Sequence, residues 1–187
     1  MFPLKQRTQD EGIEHHQGIP VRVYEGDQWQ AHRIQKAREI IASLQPGSVV
    51  ELGCGTADIS GPFGGTGFDV CEAAIAEARR RFPEMDARIG IPEAPLPGDV
   101  LVLCEFLEHV AAPERLVAGW LPHFRYCLIS HPLDEDKDSQ LSGGEHQWSF
   151  SEGDFDNWFA LGGHQLRHKE TFAMGQYTCI LGYGERL

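Results

Sequence analysis

The sequence predicts one doubly wound α/β domain with a mostly parallel, seven-stranded sheet and an antiparallel C-terminal hairpin. Three observations carry this. Short apolar runs alternate with segments of helical period along most of the chain, the pattern of strands joined by crossover helices. The run Asp99-Val-Leu-Val-Leu-Cys104 is apolar without alternation, as a strand buried on both faces must be. The last two extended segments are separated only by Met174-Gly175, too short for a crossover, so they pair as a hairpin.

The elements follow in order. Residues 1–26 hold frequent Gly, Pro and His and no sustained period, so they read as a loosely structured segment before a domain at 27–187. Ile34, Ala37, Ile40, Ile41 and Leu44 recur at helical spacing, and Pro46-Gly47 ends that helix. A strand over 48–52 runs into Gly53-Cys54-Gly55. A second strand covers 66–70. The helix over 71–82 has Ala74, Ile75 and Ala78 on one face, and Pro83 stops it. Further strands are predicted at 87–91, 99–104 and 124–130, with Pro113 opening a helix between the last two. Residues 131–148 are polar and read as a long loop hinged at Gly143-Gly144. Ser151 with Asp154 marks a helix start over 151–161, its core face being Phe150, Phe155, Trp158 and Phe159. Strands at 164–172 and 176–183 complete the sheet.

Composition narrows the function. The chain has 187 residues, 41% hydrophobic and 24% charged, enough for one soluble domain with a real core. No run approaches the length of a membrane span. The first residues mix Lys5, Arg7, Asp10 and Glu11 without an apolar core, so no signal peptide is read and a cytoplasmic location is expected. The five cysteines lack CxxC spacing and read as reduced thiols. A net charge of −12 argues against nucleic acid as partner. The one basic cluster, Arg79-Arg80-Arg81, ends a helix, where it complements the dipole. A small-molecule partner is expected. Oligomeric state, monomer or homodimer, is open.

Gly53 and Gly55 end the first strand, where ligands of open α/β sheets bind. Gly-x-Gly alone also fits a tight turn. A dinucleotide site wants a third glycine and a pyrophosphate at the position of Asp58, where a carboxylate repels phosphate. With Glu51 just before the turn, the loop suits a cationic ligand such as S-adenosylmethionine. Asp69, with Val70 beside it, ends the next strand, and two carboxylate oxygens can accept from both ribose hydroxyls. Its alternative role is to cap the following helix.

The order Glu51-Leu-Gly53-Cys-Gly55, then Gly67-Phe-Asp69, then Asp99–Cys104 leading to Glu105-Phe-Leu-Glu108-His109, resembles the class I S-adenosylmethionine-dependent methyltransferase family. The nearest likeness is to the ubiquinone-biosynthesis O-methyltransferase-like group and methyltransferase types 11 and 23, over about residues 27–183. The resemblance implies a Rossmann-like sheet with a reversed last strand. It places Glu51, Gly53, Cys54 and Gly55 at the methionine part and Asp69 with Val70 at the ribose. It puts Ile91 near adenine, and Cys104 and Glu105 over the cofactor. The sequence departs from the family at Ala57, the usual third glycine, at Ile91, commonly acidic, and in a first crossover too short for a full helix.

Glu105, Glu108 and His109 share a face if their segment is helical, and two carboxylates with an imidazole suit Mg²⁺ or another divalent metal. The structural alternative is that Glu105 caps backbone N–H groups and His109 anchors a loop. The segment also resembles small-RNA 2′-O-methyltransferases, where a later His joins the metal; His146 matches it. For proton removal from an acceptor, His131, His109 and His146 are the candidate bases. His131, just past the fifth strand, has the best position, and 132–147 reads as a lid. Tyr24 and Trp29 are candidate caps on the cofactor, with core packing as the alternative. The sequence thus points to methylation of a small molecule, on oxygen more than nitrogen. The competing readings are metal-assisted RNA 2′-O-methylation and a non-catalytic, cofactor-binding regulatory subunit.

Overall fold

The computed structural model describes residues 1–3, 9–17, 21, 28–135, 146–175 and 177–187. The chain runs through β1 (Phe2–Pro3), α1 (Gln9–Gln17), α2 (Gln28–Leu44), β2 (Val49–Leu52), β3 (Thr66–Asp69), α3 (Glu72–Arg81), β4 (Asp86–Ile89) and β5 (Gly98–Cys104). Then come α4 (Pro113–Trp120), β6 (Phe124–Leu133), β7 (Trp148–Ser149), α5 (Glu152–Leu161), β8 (His164–Met174) and β9 (Tyr177–Arg186). Seven strands form one sheet in the order β4-β3-β2-β5-β6-β9-β8. All pairs from β4 to β6 are parallel, and β9 pairs antiparallel with both neighbours. The doubly wound fold and its reversed hairpin are therefore as the sequence predicts.

Strand alternation sorts the core into two layers. Val49, Val100, Val102, Leu128 and Leu181 pack with Ile34, Ala37 and Ile41 of α2. Val50, Leu101, Leu103, Cys127 and Ile129 pack with Val117, Trp120, Phe155, Trp158 and Phe159 of α4 and α5. The α5 face is the predicted one, and Ser151 and Asp154 form the reciprocal capping box that starts it. Truncating Phe155, wholly buried, to alanine costs roughly 3–5 kcal/mol. No described helix is long and apolar enough to cross a membrane.

Three expectations change. The described part of the first 26 residues is not patternless: Asp10 and Glu11 occupy the first turn of α1, where carboxylates favour the helix dipole, and Phe2–Pro3 pairs with Trp148–Ser149. β6 runs to Leu133, so His131 and Pro132 are strand residues and not loop; the pairings His131–Ile180, Pro132–Cys179 and Leu133–Thr178 with β9 carry it beyond the end of β5. Strand β4 ends at Ile89, before Ile91. The first crossover is shortened as predicted: among the residues between β2 and β3 the only helical turn is Gly61–Phe63. Gly143-Gly144, Tyr24 and the side chain of Trp29 lie outside the described residues.

Candidate active site

β2 lies between β3 and β5, whose connections leave in opposite directions, so the switch point of the sheet falls at the carboxyl end of β2. There the chain turns sharply. The N–H groups of Gly53 and Cys54 both donate to Phe68 O, at 2.8 and 3.0 Å. Gly53 has φ +70°, and a Cβ there would lie 2.5 Å from Phe106 Cδ2. Gly55 has φ +52° and open space where a Cβ would sit. Ala57, the departure from the family's third glycine, takes φ +62° as well, with a wholly buried side chain. The backbone needs a left-handed residue there whether or not glycine supplies it.

Asp69 holds this loop from the end of β3. Its Oδ2 accepts from Gly55 N at 2.8 Å, and its Oδ1 accepts from Cys71 N, also at 2.8 Å, at the start of α3. The ribose-binding and capping roles that the sequence allows are thus not exclusive. Each oxygen keeps a second lone pair for another donor. Gly90 N donates to Asp69 O, and Gly90 at φ +90° also opens on free space, which sets Ile91 beside this end of the sheet.

The loop's carboxylates differ from their sequence reading. Asp58 is buried and paired with Arg81 Nη2 at 2.8 Å, while its Oδ2 accepts from Thr56 Oγ1 at 2.7 Å. Its charge is neutralised inside the fold, so it does not select a cationic ligand. Arg81 is thereby a structural ligand of the loop, and Arg79 and Arg80 are bound to Ala87 O and Glu77. Glu51 is also buried and accepts from Ser60 N at 3.1 Å. Burial pushes its carboxyl up to about 7, against the bonds from Ser60 and the charge of Arg33. Arg33 belongs to no motif of the sequence. It lies one and two turns before Ala37 and Ile41, a charge on an apolar stripe, and that position is its only signal.

Next to β2, β5 ends in Cys104 and Glu105. Glu105 has φ +51°, a strained conformation for a non-glycine residue. Its Oε1 accepts from Ser130 Oγ at 3.1 Å and from Cys179 Sγ at 3.3 Å. The continuous helix over 105–109 on which a shared face depends does not form. Only Leu107–His109 forms a single 3₁₀ turn, so Glu105 does not share a face with Glu108 and His109. The metal triplet read from the sequence is corrected accordingly.

The ligand atoms that do meet are those of Glu108, His109 and His146, all within 4.8 Å of one another. The two imidazole rings are 4.8 Å apart, edge to face. The stretch bearing His146 is fastened to the 3₁₀ turn. Gln147 N donates to Glu108 O at 2.7 Å, Gln147 Nε2 to His109 O, and Trp148 Nε1 to Val110 O at 2.8 Å. Glu108 is wholly buried and neither carboxylate oxygen has a hydrogen-bond partner among the described residues. Burial, with Glu105 and Glu135 nearby, pushes its carboxyl far above the usual range. Burial lowers His146, but the Nδ1 contact with Glu135 Oε2 at 2.6 Å and the charge of Glu108 outweigh it and hold the ring up at about 9. Orphaned carboxylate oxygens beside two imidazoles fit a divalent cation, and this donor set suits a first-row transition ion better than Mg²⁺.

His131 is elsewhere. Alternation along β6 puts it on the α5 face with Cys127 and Ile129. It is wholly buried, with ring contacts to Phe150 at 4.8 Å and Phe155 at 5.4 Å, and its Nδ1 donates to Pro132 O at 2.8 Å. Burial drops its pKa to about 4, so it stays neutral in the core. A place for it as the foremost base requires β6 to end at Ser130, which it does not.

No family model matches the chain, and no curated protein does. Solved structures do match. Magnesium protoporphyrin IX methyltransferase of Synechocystis PCC 6803, with bound S-adenosylhomocysteine, superposes with a TM-score of 0.70 at 15% identity, over 95% of this chain and 94% of that one. This is the α/β Rossmann-like methyltransferase fold. An S-adenosylmethionine-dependent methyltransferase of Leishmania major gives a TM-score of 0.70 at 14% identity, covering 95% and 82% of the two chains. The methyltransferase domain of bacterial CtHen1 gives 0.62 at 15% identity, over 84% of this chain and 99% of that one. At such identities the likeness establishes the fold. Within the methyltransferase fold, the glycine loop, Asp69 and the Glu108 cluster all stand at the carboxyl ends of adjacent strands or in the turns that follow them.

Proposed function

We propose that the chain is an S-adenosylmethionine-dependent methyltransferase acting on a hydroxyl of a small molecule. The observation that carries this reading is the latch between Asp69 and the glycine loop. It presents the open face of Gly55 and the free lone pairs of Asp69 at the sheet's switch point. In this reading Glu51, Gly53, Cys54 and Gly55 surround the methionine part, Asp69 with Val70 the ribose, Ile91 the adenine edge, and Cys104 with Glu105 the far wall.

Methyl transfer is an in-line displacement. When bound, S-adenosylmethionine would supply an electrophilic methyl group on a sulfonium, with S-adenosylhomocysteine as the leaving group. The protein aligns the two reactants and receives the hydroxyl proton. His109 is the base in this reading, because it is half-buried in the cluster, whereas Glu135 holds the ring of His146. Glu108, His109 and His146 would hold a divalent ion, which when bound would supply a positive charge that favours the acceptor's oxyanion; an imidazole that ligates the ion does not take the proton, so His109, or His146 in its place, is the base only where it is not a ligand.

Calorimetric titration with S-adenosylmethionine tests the reading. Micromolar binding is expected, and its absence in folded protein overturns the proposal. The Glu108 cluster also favours a second reading, metal-assisted 2′-O-methylation of RNA, against which the net charge of −12 stands. Activity on RNA that chelation leaves unchanged rules that reading out.

A further inference from the structure

Glu135 belongs to no motif of the sequence, and it is the residue on which the His146 side of the cluster depends. Its side chain is 1% exposed. Its Oε2 lies 2.6 Å from His146 Nδ1, and its Oε1 is buried without a partner among the described residues. No other described side chain shares this carboxylate, so its contact with His146 is its evident purpose. A carboxylate is acceptor-only when ionised, so the nitrogen facing it is an N–H donor. That leaves Nε2 as the nitrogen of His146 that can exchange its proton for a metal.

We propose that Glu135 is the positioning residue of the divalent-cation site. By holding the proton on Nδ1 it fixes the ring's orientation and tautomer, so that His146 Nε2 converges with Glu108 and His109. This rests on the reading of that cluster as a cation site. Carboxylate–histidine–metal relays of this kind raise the basicity of the ligand nitrogen, and losing the outer carboxylate weakens metal binding by about 10–100-fold.

The test titrates the chain with Co²⁺ alone, followed by calorimetry and the visible absorption band of the ion. Wild type is expected to bind one ion. Glu135→Ala should weaken that affinity by at least tenfold while circular dichroism stays unchanged. Glu135→Gln, whose amide oxygen still accepts from Nδ1, should stay within about threefold of wild type. In wild type loaded with Zn²⁺, the nitrogen resonances of His146 should show a protonated Nδ1 and a ligated Nε2. That spectrum decides the matter even if Glu135→Ala does not fold. Equal Co²⁺ affinity in wild type and Glu135→Ala, equal weakening in both variants, or metal on Nδ1 overturns the positioning role alone. Failure of wild type to bind Co²⁺ overturns the cation site itself, and the positioning role with it.

Discussion

Asp69 Oδ2 accepts the N–H of Gly55 at 2.8 Å, so the carboxylate assigned to a ribose also holds the glycine loop in place. With Cys71 N on the other oxygen, one side chain joins the turn after β2 to the start of α3. Asp69→Ala removes both bonds. It is expected to lower stability by about 1.5–3 kcal/mol, the range for a hydrogen bond to a charged group. S-adenosylhomocysteine affinity should fall by more than tenfold. Asp69→Asn keeps one acceptor oxygen and should fall between. Denaturant titration and calorimetry on the same samples separate the two effects. An Asp69→Ala variant that loses stability but keeps full affinity would show that the carboxylate serves the loop only.

Gly53 and Gly55 share a left-handed backbone but not a setting, and alanine should report the difference. At Gly53 a Cβ meets the Phe106 ring at 2.5 Å, so Gly53→Ala must move an aromatic side chain and should be the less stable variant. At Gly55 a Cβ meets nothing within 4 Å, so the cost is confined to backbone conformation, about 1–2 kcal/mol. Gly55→Ala should therefore fold, with a loss of cofactor affinity larger than its loss of stability. Thermal melts with and without S-adenosylhomocysteine measure this: the ligand-induced rise in Tm should shrink in Gly55→Ala.

What the sequence made legible was whatever depends on local pattern. The apolar run at Asp99–Cys104, the Ser151/Asp154 cap and the Met174-Gly175 turn each state their structure within a few residues, and all three appear in the fold. What it hid depends on contacts between distant residues. Asp58 reads as a charge at a ligand loop until Arg81, twenty-three positions on, neutralises it. His131 reads as a strand-end base until antiparallel pairing with β9 lengthens β6 around it. Glu105 falls out of the Glu-x-x-Glu-His face because the chain takes φ +51° there, which spacing cannot reveal. Glu135 had no motif at all, and only the approach of His146 gives it a role.

The Asp58–Arg81 pair is largely buried, with side chains 8% and 11% exposed, and Arg81 Nη1 also donates to Thr56 O and Oγ1 at 3.1 Å. Removing one partner of such a pair strands the other charge, at a cost of about 3–5 kcal/mol. Arg81→Met is expected to destabilise by that order in urea unfolding. Adding Asp58→Asn to it should recover part of the loss, because the stranded carboxylate is then gone. If the double variant is as unstable as the sum of the two single ones, the pair is not coupled.

The neutral, buried His131 gives a pH signature of its own. Its folded pKa is about 4, below the ordinary 6.5, because burial disfavours the charged ring. The unfolded chain therefore takes up a proton before the folded one does. The stability that His131 contributes is complete above pH 6.5 and is lost as pH falls toward 4, by on the order of 3 kcal/mol, because each pH unit between the two values is worth about 1.4 kcal/mol. Glu51, raised from 4.5 to about 7, works in an overlapping window with the opposite sign, its contribution being lost as pH rises. The informative quantity is therefore wild type minus variant. His131→Leu should be less stable than wild type at pH 7.5, having lost the bond to Pro132 O and the ring contacts with Phe150 and Phe155. The difference should narrow steadily down to pH 4. Methyl transfer by the folded variant should stay within a few-fold of wild type, whereas His109→Ala should lose it by at least a hundredfold. A pH-independent difference, or an inactive but well-folded His131→Leu, would return His131 to the active site.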